Sequence, residues 1–513
     1  MNLKDSSGKR DKSEIIEEMR TAIYDRRPVF GEIMHKHGAK NLYDYAGEFL
    51  DVNTNDTLSL RRKACFGIIA KEIEKRLNKK IADEVFIQLQ NKALVSTTDH
   101  HGVIDHPFFL NSNIITGLPY AASNDSTLKY LVVLSFTSVS LNNASAYPRG
   151  ILFNGGENGE GGYIRLPLLP DKWKMRTVYG TPCYIKEDFD KVKQLMRDKE
   201  KQGLISVARS EQIISLLNDI FFQEEILNAE DLTTQITKLN YILWPKFFAG
   251  EQVPDLIYVD AETVTREIYL EEILQNSECL LYQMLFDSKI RDLTLKYFDS
   301  IPGAFSKEKD WGTYFFWTND EKGHRVRLLL KNNKLVSSDS KIEFELTPNA
   351  IHEALIQRKI FPSMIAVYLT VSLHYGMKCL GGFCQVSDLT NMKEALINVL
   401  NEIGDKEEIE IISEIQTKEL GGDGLVLAYL KDKAGQLKPA TGIDLYLEKD
   451  KLNFQDYINI SKKVTLQEMI APLLPEIYTV LYSSYERKEE CMAITSKDIM
   501  ELTGIQKKLE EFF

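Results

Sequence analysis

Apolar residues recur at helical spacing through residues 14 to 92. Leu60, Ile69, Ile73 and Leu77 approximate one face of a helix set in charged sequence. Asn78–Lys80 interrupts the pattern, and a second helical stretch follows from about Ile81 to Lys92. The period then changes. Ala93–Thr97 reads as a short strand, and Pro107 opens a helix through about Ile115, because proline suits a first helical turn. Tyr130–Phe136 is a nearly continuous apolar run, the pattern of a strand buried on both faces. Strand, helix, strand in that order predicts a parallel βαβ unit.

Further along, residues 186–250 read as amphipathic helices forming an inserted cap. Asp255–Val259 is another strand, with Asp260 and Glu262 at its end and a helix from about Thr263. Trp311–Trp317 and Arg325–Leu330 predict a hairpin around Asn319–Gly323. Thr347 caps a helix begun by Pro348 and Asn349. Asp423–Gly424 turns a further hairpin, and the C-terminal tail reads as polar helices. The fold expected is α/β, with a Rossmann-like parallel-sheet core, a helical N-terminal region and α+β insertions. Its divisions are a helical region at 1–92, the first part of the core at 93–185, and a helical insertion at 186–250. The second part of the core follows at 251–405, with a C-terminal α+β region at 406–513.

A chain of 513 residues exceeds the commonest size of one compact domain, so two or three domains, or one core with large insertions, are expected. With 43% hydrophobic and 27% charged residues it has apolar material for a full core, which argues against global disorder. Lys plus Arg is 63 against 75 for Asp plus Glu, a net charge of −12. That balance repels a phosphate backbone, so no nucleic-acid partner is expected. The best apolar run, Met364–Leu373, contains Thr370 and Ser372 and falls short of the roughly 20 residues that span a bilayer. No membrane partner is expected. The opening MNLKDSSGKRDKSE lacks the apolar stretch of a secretory signal and reads as a short disordered lead. The six cysteines are scattered without a CxxC pair, which suits free thiols in a reducing cytoplasm.

Three of the eight histidines fall within Thr98-Asp99-His100-His101-Gly102-Val103-Ile104-Asp105-His106-Pro107. This loop joins a strand end to a helix start, where open α/β sheets collect ligands and helix N–H groups favour anions. Imidazoles there supply proton transfer or bind phosphate near neutral pH, making His100, His101 and His106 the candidate catalytic residues. Thr98 and Asp99 are candidate substrate ligands. Asp99, His100, His101, Asp105 and His106 are also ligand types for zinc or iron, although adjacent side chains in a strand point apart. Asp260 and Glu262, with Arg266 a turn on, suit a ribose hydroxyl or magnesium, or else helix capping. Arg149, in Tyr147-Pro148-Arg149-Gly150, suits a carboxylate or phosphate, or else a surface turn. His374 reads as a core histidine, and His35 and His37 carry no specific signal. Gly155, Gly156, Gly159, Gly161 and Gly162, with Glu157 and Glu160, lack the lysine and following Ser or Thr of a P-loop and read as a mobile surface loop or lid.

Three segments in order carry a family resemblance. The first is Thr98 to Phe109. The second is Thr347-Pro348-Asn349-Ala350-Ile351-His352-Glu353-Ala354, followed by Gln357 and Phe361-Pro362. The third is Leu380-Gly381-Gly382-Phe383-Cys384-Gln385. They resemble, with substitutions, the Thr-Gly-Gln-Gln-Pro-Gly, Ser-Pro-Asn-x-x-x-Arg-Pro and Gly-Gly-Pro-x-Glu segments of the cysteine-adding ligases of bacillithiol biosynthesis. Those enzymes join cysteine to a glucosamine-malate conjugate. Here histidines stand in place of both glutamines, Glu353 in place of the arginine, and Gln385 in place of the glutamate. Leu134-Ser135-Phe136-Thr137 stands where the family has an acidic stretch, and no long heptad pattern marks a C-terminal coiled coil. The resemblance implies a Rossmann-like core and a small-molecule enzyme of ligase or transferase type, with its own substrate. A nucleotide or other anionic group would sit against the His100–His106 loop, and Asn349, Gln385 and Asp260 would position the substrate. The alternatives are a metal-dependent enzyme using the same histidines, and a non-catalytic binding or sensor protein with residues 186 to 248 as its interface. Cofactor identity, between a nucleotide and a divalent metal, and oligomeric state stay open.

Overall fold

The computed structural model describes residues 10–513 apart from residues 54, 124, 157–158, 251–252, 310, 423, 432–434 and 449–451. Its centre is a parallel sheet of four strands: β1 (Leu94–Ser96), β2 (Tyr130–Ser135), β3 (Asp255–Asp260) and β4 (Lys378–Leu380). They lie in the order β4-β1-β2-β3, every neighbouring pair parallel. Side chains alternate across a strand, so β2 sends Leu131 and Val133 into one apolar cluster and Tyr130, Val132 and Leu134 into the other. All six β2 residues are buried, as a strand covered on both faces requires.

The helix after β1, Pro107–Ala121, belongs with its Phe109, Leu110, Ile114 and Leu118 to the first cluster. It runs past the expected end near Ile115 and through Pro119, with Leu118 and Tyr120 still buried. The helix after β4, Phe383–Ile403, belongs with its Leu389, Met392 and Leu396 to the second cluster. The chain therefore leaves the adjacent strands β1 and β4 toward opposite faces of the sheet. That is a topological switch point, with a crevice beyond the carboxyl ends of the two strands.

Among the described residues five α-helices precede β1, and the longest, Asp56–Arg76, packs on the second face. Its core positions include Leu58, Cys65, Ile69 and Ile73, whereas Leu60, expected on that face, is 70% exposed. The helix Lys12–Arg26 begins inside the expected disordered lead, capped by Asp11; residues 1–9 of that lead lie outside the described residues. Residues 186–250 are mainly helical, but Leu232–Leu243 is built into the core, where Thr237 Oγ1 donates to the β3 carbonyl of Tyr258 at 2.9 Å. The predicted hairpin around Asn319–Gly323 forms between Phe316–Asn319 and Arg325–Lys331, inside a five-stranded antiparallel sheet. No strand pairing flanks Gly424 among the described residues. The pair formed there is Tyr429–Lys431 with Leu437–Pro439, and Asp423 lies outside the described residues. The glycine loop joins the strands Gly150–Asn154 and Tyr163–Pro167, and Glu157 also lies outside the described residues. No helix among the described residues is long and apolar enough to cross a membrane.

The C-terminal helices return to the N-terminus. Tyr482 donates its hydroxyl to the Ala22 carbonyl at 2.8 Å, and Lys12 pairs with Asp498 at 2.5 Å. This packing brings the helix Leu474–Leu481 over the switch-point crevice.

Candidate functional site

The loop after β1 crosses the carboxyl end of the sheet, where His101 N–H donates to the Phe136 carbonyl and Phe136 N–H to the Asp99 carbonyl. This extended pairing turns consecutive side chains to opposite sides. His101 is fully buried. Its Nε2 lies 3.0 Å from the Thr233 carbonyl, which can only accept, so the ring carries its proton on Nε2. Nδ1 then accepts from the Ser135 hydroxyl at 2.8 Å. Burial lowers the pKa of this neutral ring, and neither nitrogen is left for a ligand.

His100 faces the crevice. Its Nδ1 is 3.0 Å from Asn143 Oδ1, an oxygen that also accepts from the backbone N–H groups of Ser145 and Ala146. Those two donors fix the amide orientation, so His100 carries its proton on Nδ1. Its Nε2 lone pair makes no hydrogen bond among the described residues. Burial lowers the pKa of this ring as well, which keeps it neutral and able to accept a proton.

His100 lines a cavity of about 190 Å³ at the switch point. The β1 loop and the following helix contribute Thr98, His100, Phe108 and Phe109 to its walls, and Ser145 comes from the turn after β2. Phe383 enters from the start of the helix after β4, and Leu473, Glu476 and Ile477 from the C-terminal helices. The Phe383–Ile403 helix has Gly382 at its cap position, so no side chain closes its first turn. That one uncapped helix start faces the cavity and favours negative charge, whereas the start of Pro107–Ala121 is closed by His106 and Glu476 brings a carboxyl to the wall.

Behind the cavity stands a buried carboxyl. Thr98 Oγ1 donates to Asp99 Oδ1 at 2.5 Å, Asn113 Nδ2 to Asp99 Oδ2 at 2.6 Å, and the Tyr258 hydroxyl also donates to Oδ2. Asp99 has no ion-pair partner among the described residues, and burial raises its pKa to about 6. Asp99 therefore orients the Thr98 hydroxyl and does not itself line the cavity. Gln385 stands beside it, its Nε2 donating to Thr97 Oγ1 at 2.7 Å.

The remaining candidates do not gather here. His106 caps the Pro107–Ala121 helix, its Nδ1 accepting from Phe108 N–H at 3.3 Å. Burial, with Arg165 and His100 nearby, lowers its pKa to about 4. Asp105 fastens the neighbouring hairpin by accepting from Leu152 N–H at 2.6 Å. Asp260 caps the helix Ala261–Glu271 and pairs with Arg76 at 2.8 Å. Glu262 accepts from the N–H groups of Thr137 and Ser138 at 2.8 and 2.9 Å, and burial raises its pKa. Arg149 turns inward to the Leu169 carbonyl and Asp171. Asn349 is exposed at the start of Pro348–Ile356, beside the antiparallel sheet. Among the described residues, no group of three or more His, Cys, Asp and Glu is arranged to hold a metal ion. Asp99, His101, Asp105 and His106 are engaged in separate contacts, and His100 alone of the five keeps a ring nitrogen for the cavity.

Asn143, Ser145, Phe383 and Glu476 were not anticipated as site residues. Phe383 has a sequence signal, the Gly381-Gly382 pair at a strand end. Glu476 has none, because only tertiary packing brings it to the crevice. No family model and no curated protein matches the chain.

Proposed function

We propose that the protein is a small-molecule enzyme of ligase or transferase type whose substrate binds in the switch-point cavity, with His100 as the general base. The observation that carries this reading is the His100 ring, oriented by Asn143 through Nδ1 with its Nε2 lone pair unbonded at the cavity. Such a nitrogen accepts the proton of an attacking amine or hydroxyl. The uncapped start of the Phe383–Ile403 helix suits the oxygens of an acyl or phosphoryl group that gains negative charge during transfer, and the Thr98 hydroxyl, its proton given to Asp99, offers an acceptor to a donor on the substrate. Parallel strands and a ligand crevice at the switch point also support a Rossmann-like reading of the sheet. In that reading the strand beside β1 on the switch side comes last in the chain. His101 takes no part in the chemistry.

Thermal unfolding against a panel of nucleotides, amino acids and sugar phosphates tests the proposal. A ligand at about 100 times its dissociation constant adds roughly 2.7 kcal/mol of stability, a readily measured shift. The shift is expected to disappear in His100→Ala, and turnover of the ligand so identified is expected to disappear with it. Full activity of His100→Ala on that ligand overturns the assignment.

A further inference from the structure

The polar side chains around the switch-point cavity are set to accept rather than to donate. His100 presents the Nε2 lone pair, and Thr98 Oγ1 has given its proton to Asp99. The Ser145 hydroxyl can turn either way. Among the described residues the one charged group on the wall is Glu476, in the first turn of Leu474–Leu481. It pairs with no cation among those residues, and partial burial raises its pKa.

A carboxylate drawn partly out of water without a counter-charge is costly, and a cation beside it lowers that cost. Aromatic rings stand on the same wall. Phe108 is held edge-on by His106, with ring centres 5.0 Å apart, and Phe383 by Phe30 at 6.3 Å. The faces of such rings attract an ammonium group. An anionic head would find a donor only at the uncapped helix start, and would face Glu476 and the His100 lone pair. That helix start is left for the oxygens of the group being transferred. The cavity holds about 190 Å³. A protein cavity of about 150 Å³ takes benzene, so this one suits a molecule of roughly six to eight non-hydrogen atoms.

We propose that the molecule bound against His100 is a small primary amine, held as its ammonium between the Glu476 carboxylate and the His100 Nε2 lone pair. This rests on the cavity being the substrate site, and it adds the chemical class of the acceptor. A malate-bearing conjugate, the substrate of the ligases that the sequence resembles, would bring carboxylates to the same wall and is disfavoured.

Titration calorimetry on the full chain near neutral pH, with butylammonium, butanol and butanoate as probes of one shape and three charges, tests the idea. Butylammonium is expected to bind about tenfold or more tightly than butanol, through its charge-assisted hydrogen bonds, and butanoate is expected to give no heat. Glu476→Gln keeps the side chain's shape and removes its charge at an exposed position. It is expected to erase the preference for the amine and to leave butanol binding unchanged. His100→Ala removes an acceptor that both use and is expected to abolish both. Butanoate binding as tight as that of butylammonium overturns the proposal, as does an amine preference that survives Glu476→Gln, or no binding of any of the three. If the preference is present and lost in Glu476→Gln but His100→Ala keeps native turnover, the amine class stands and the base assignment falls. If the thermal panel yields a ligand without an amine whose binding and turnover need His100, the base assignment stands and the amine class falls.

Discussion

Two pairs of strand ends on one sheet edge have opposite fates. Beyond β2 and β3, Ser135, His101, Asp260 and Glu262 are fully buried, and their polar groups are joined to one another, to Arg76 and to backbone. Beyond β1 and β4, the Thr98 and His100 side chains remain partly exposed at a cavity. Both ends are rich in residues that do chemistry elsewhere, so residue type does not separate them. Connectivity does. The helices after β1 and β4 leave toward opposite faces, and no segment is obliged to cover the gap. At the other end the helix Leu232–Leu243 supplies the Thr233 carbonyl that closes over His101. One end holds the fold together, and the other is left to bind.

The comparison breaks most sharply at Arg76. Its guanidinium bridges Asp260 and Glu72, both buried. Arg76→Met strands the fully buried Asp260 carboxylate, while Glu72 keeps Lys75, and a loss of about 3–5 kcal/mol is expected in urea denaturation. A loss under about 1 kcal/mol would show that this end is less closed than the geometry implies.

The adjacent histidines sharpen the contrast. His101→Ala removes a buried ring and takes the acceptor of the Ser135 hydroxyl, at an expected cost of about 3 kcal/mol. His100→Ala, in a wall already open, is expected to cost under about 1 kcal/mol while abolishing ligand binding at the cavity. Denaturation midpoints and ligand titrations on the same two variants read both effects. Equal stability losses would erase the distinction between the two ends.

That distinction was only half legible in the sequence. The alternation of a strand says that His100 and His101 point apart, but not which one meets a cavity. Local signals did well: Pro107 opens its helix, Thr347 and Asp260 cap theirs, and Tyr130–Ser135 is buried as its composition requires. What escaped is set at long range. β4 is too short to carry a periodic signal, so Leu380–Gln385 reads as a motif and not as the strand that creates the switch point. Arg149 reads as an anion ligand until Leu169 and Asp171 are seen to hold it. Glu476 reaches the cavity only because the C-terminal helices fold back to the first helix.

His106 stands between the two ends and carries a pH signature. Its pKa falls from 6.5 to about 4 in the folded protein, so the fold prefers the neutral ring. The stability this contributes is fully present above pH 6.5 and is lost as pH falls toward 4, on the order of 2 kcal/mol for a partly exposed group. His106→Asn keeps a capping side chain and removes the titration. Urea midpoints of the variant, compared with the native protein from pH 7 to pH 4, should show the shallower acid decline. Parallel curves would mean that His106 titrates normally.

The smallest effect belongs to Arg149. Its Nη1 is 2.9 Å from Asp171, whose side chain is 75% exposed. An ion pair so well hydrated contributes about 0–1 kcal/mol, because water solvates the carboxylate nearly as well as the guanidinium does. Asp171→Ala is therefore expected to shift the denaturation midpoint slightly and to leave ligand binding unchanged, since Arg149 keeps its bond to the Leu169 carbonyl at 3.0 Å. A gain of anion binding on freeing that guanidinium would restore Arg149 as a ligand residue, at a place apart from the His100 crevice.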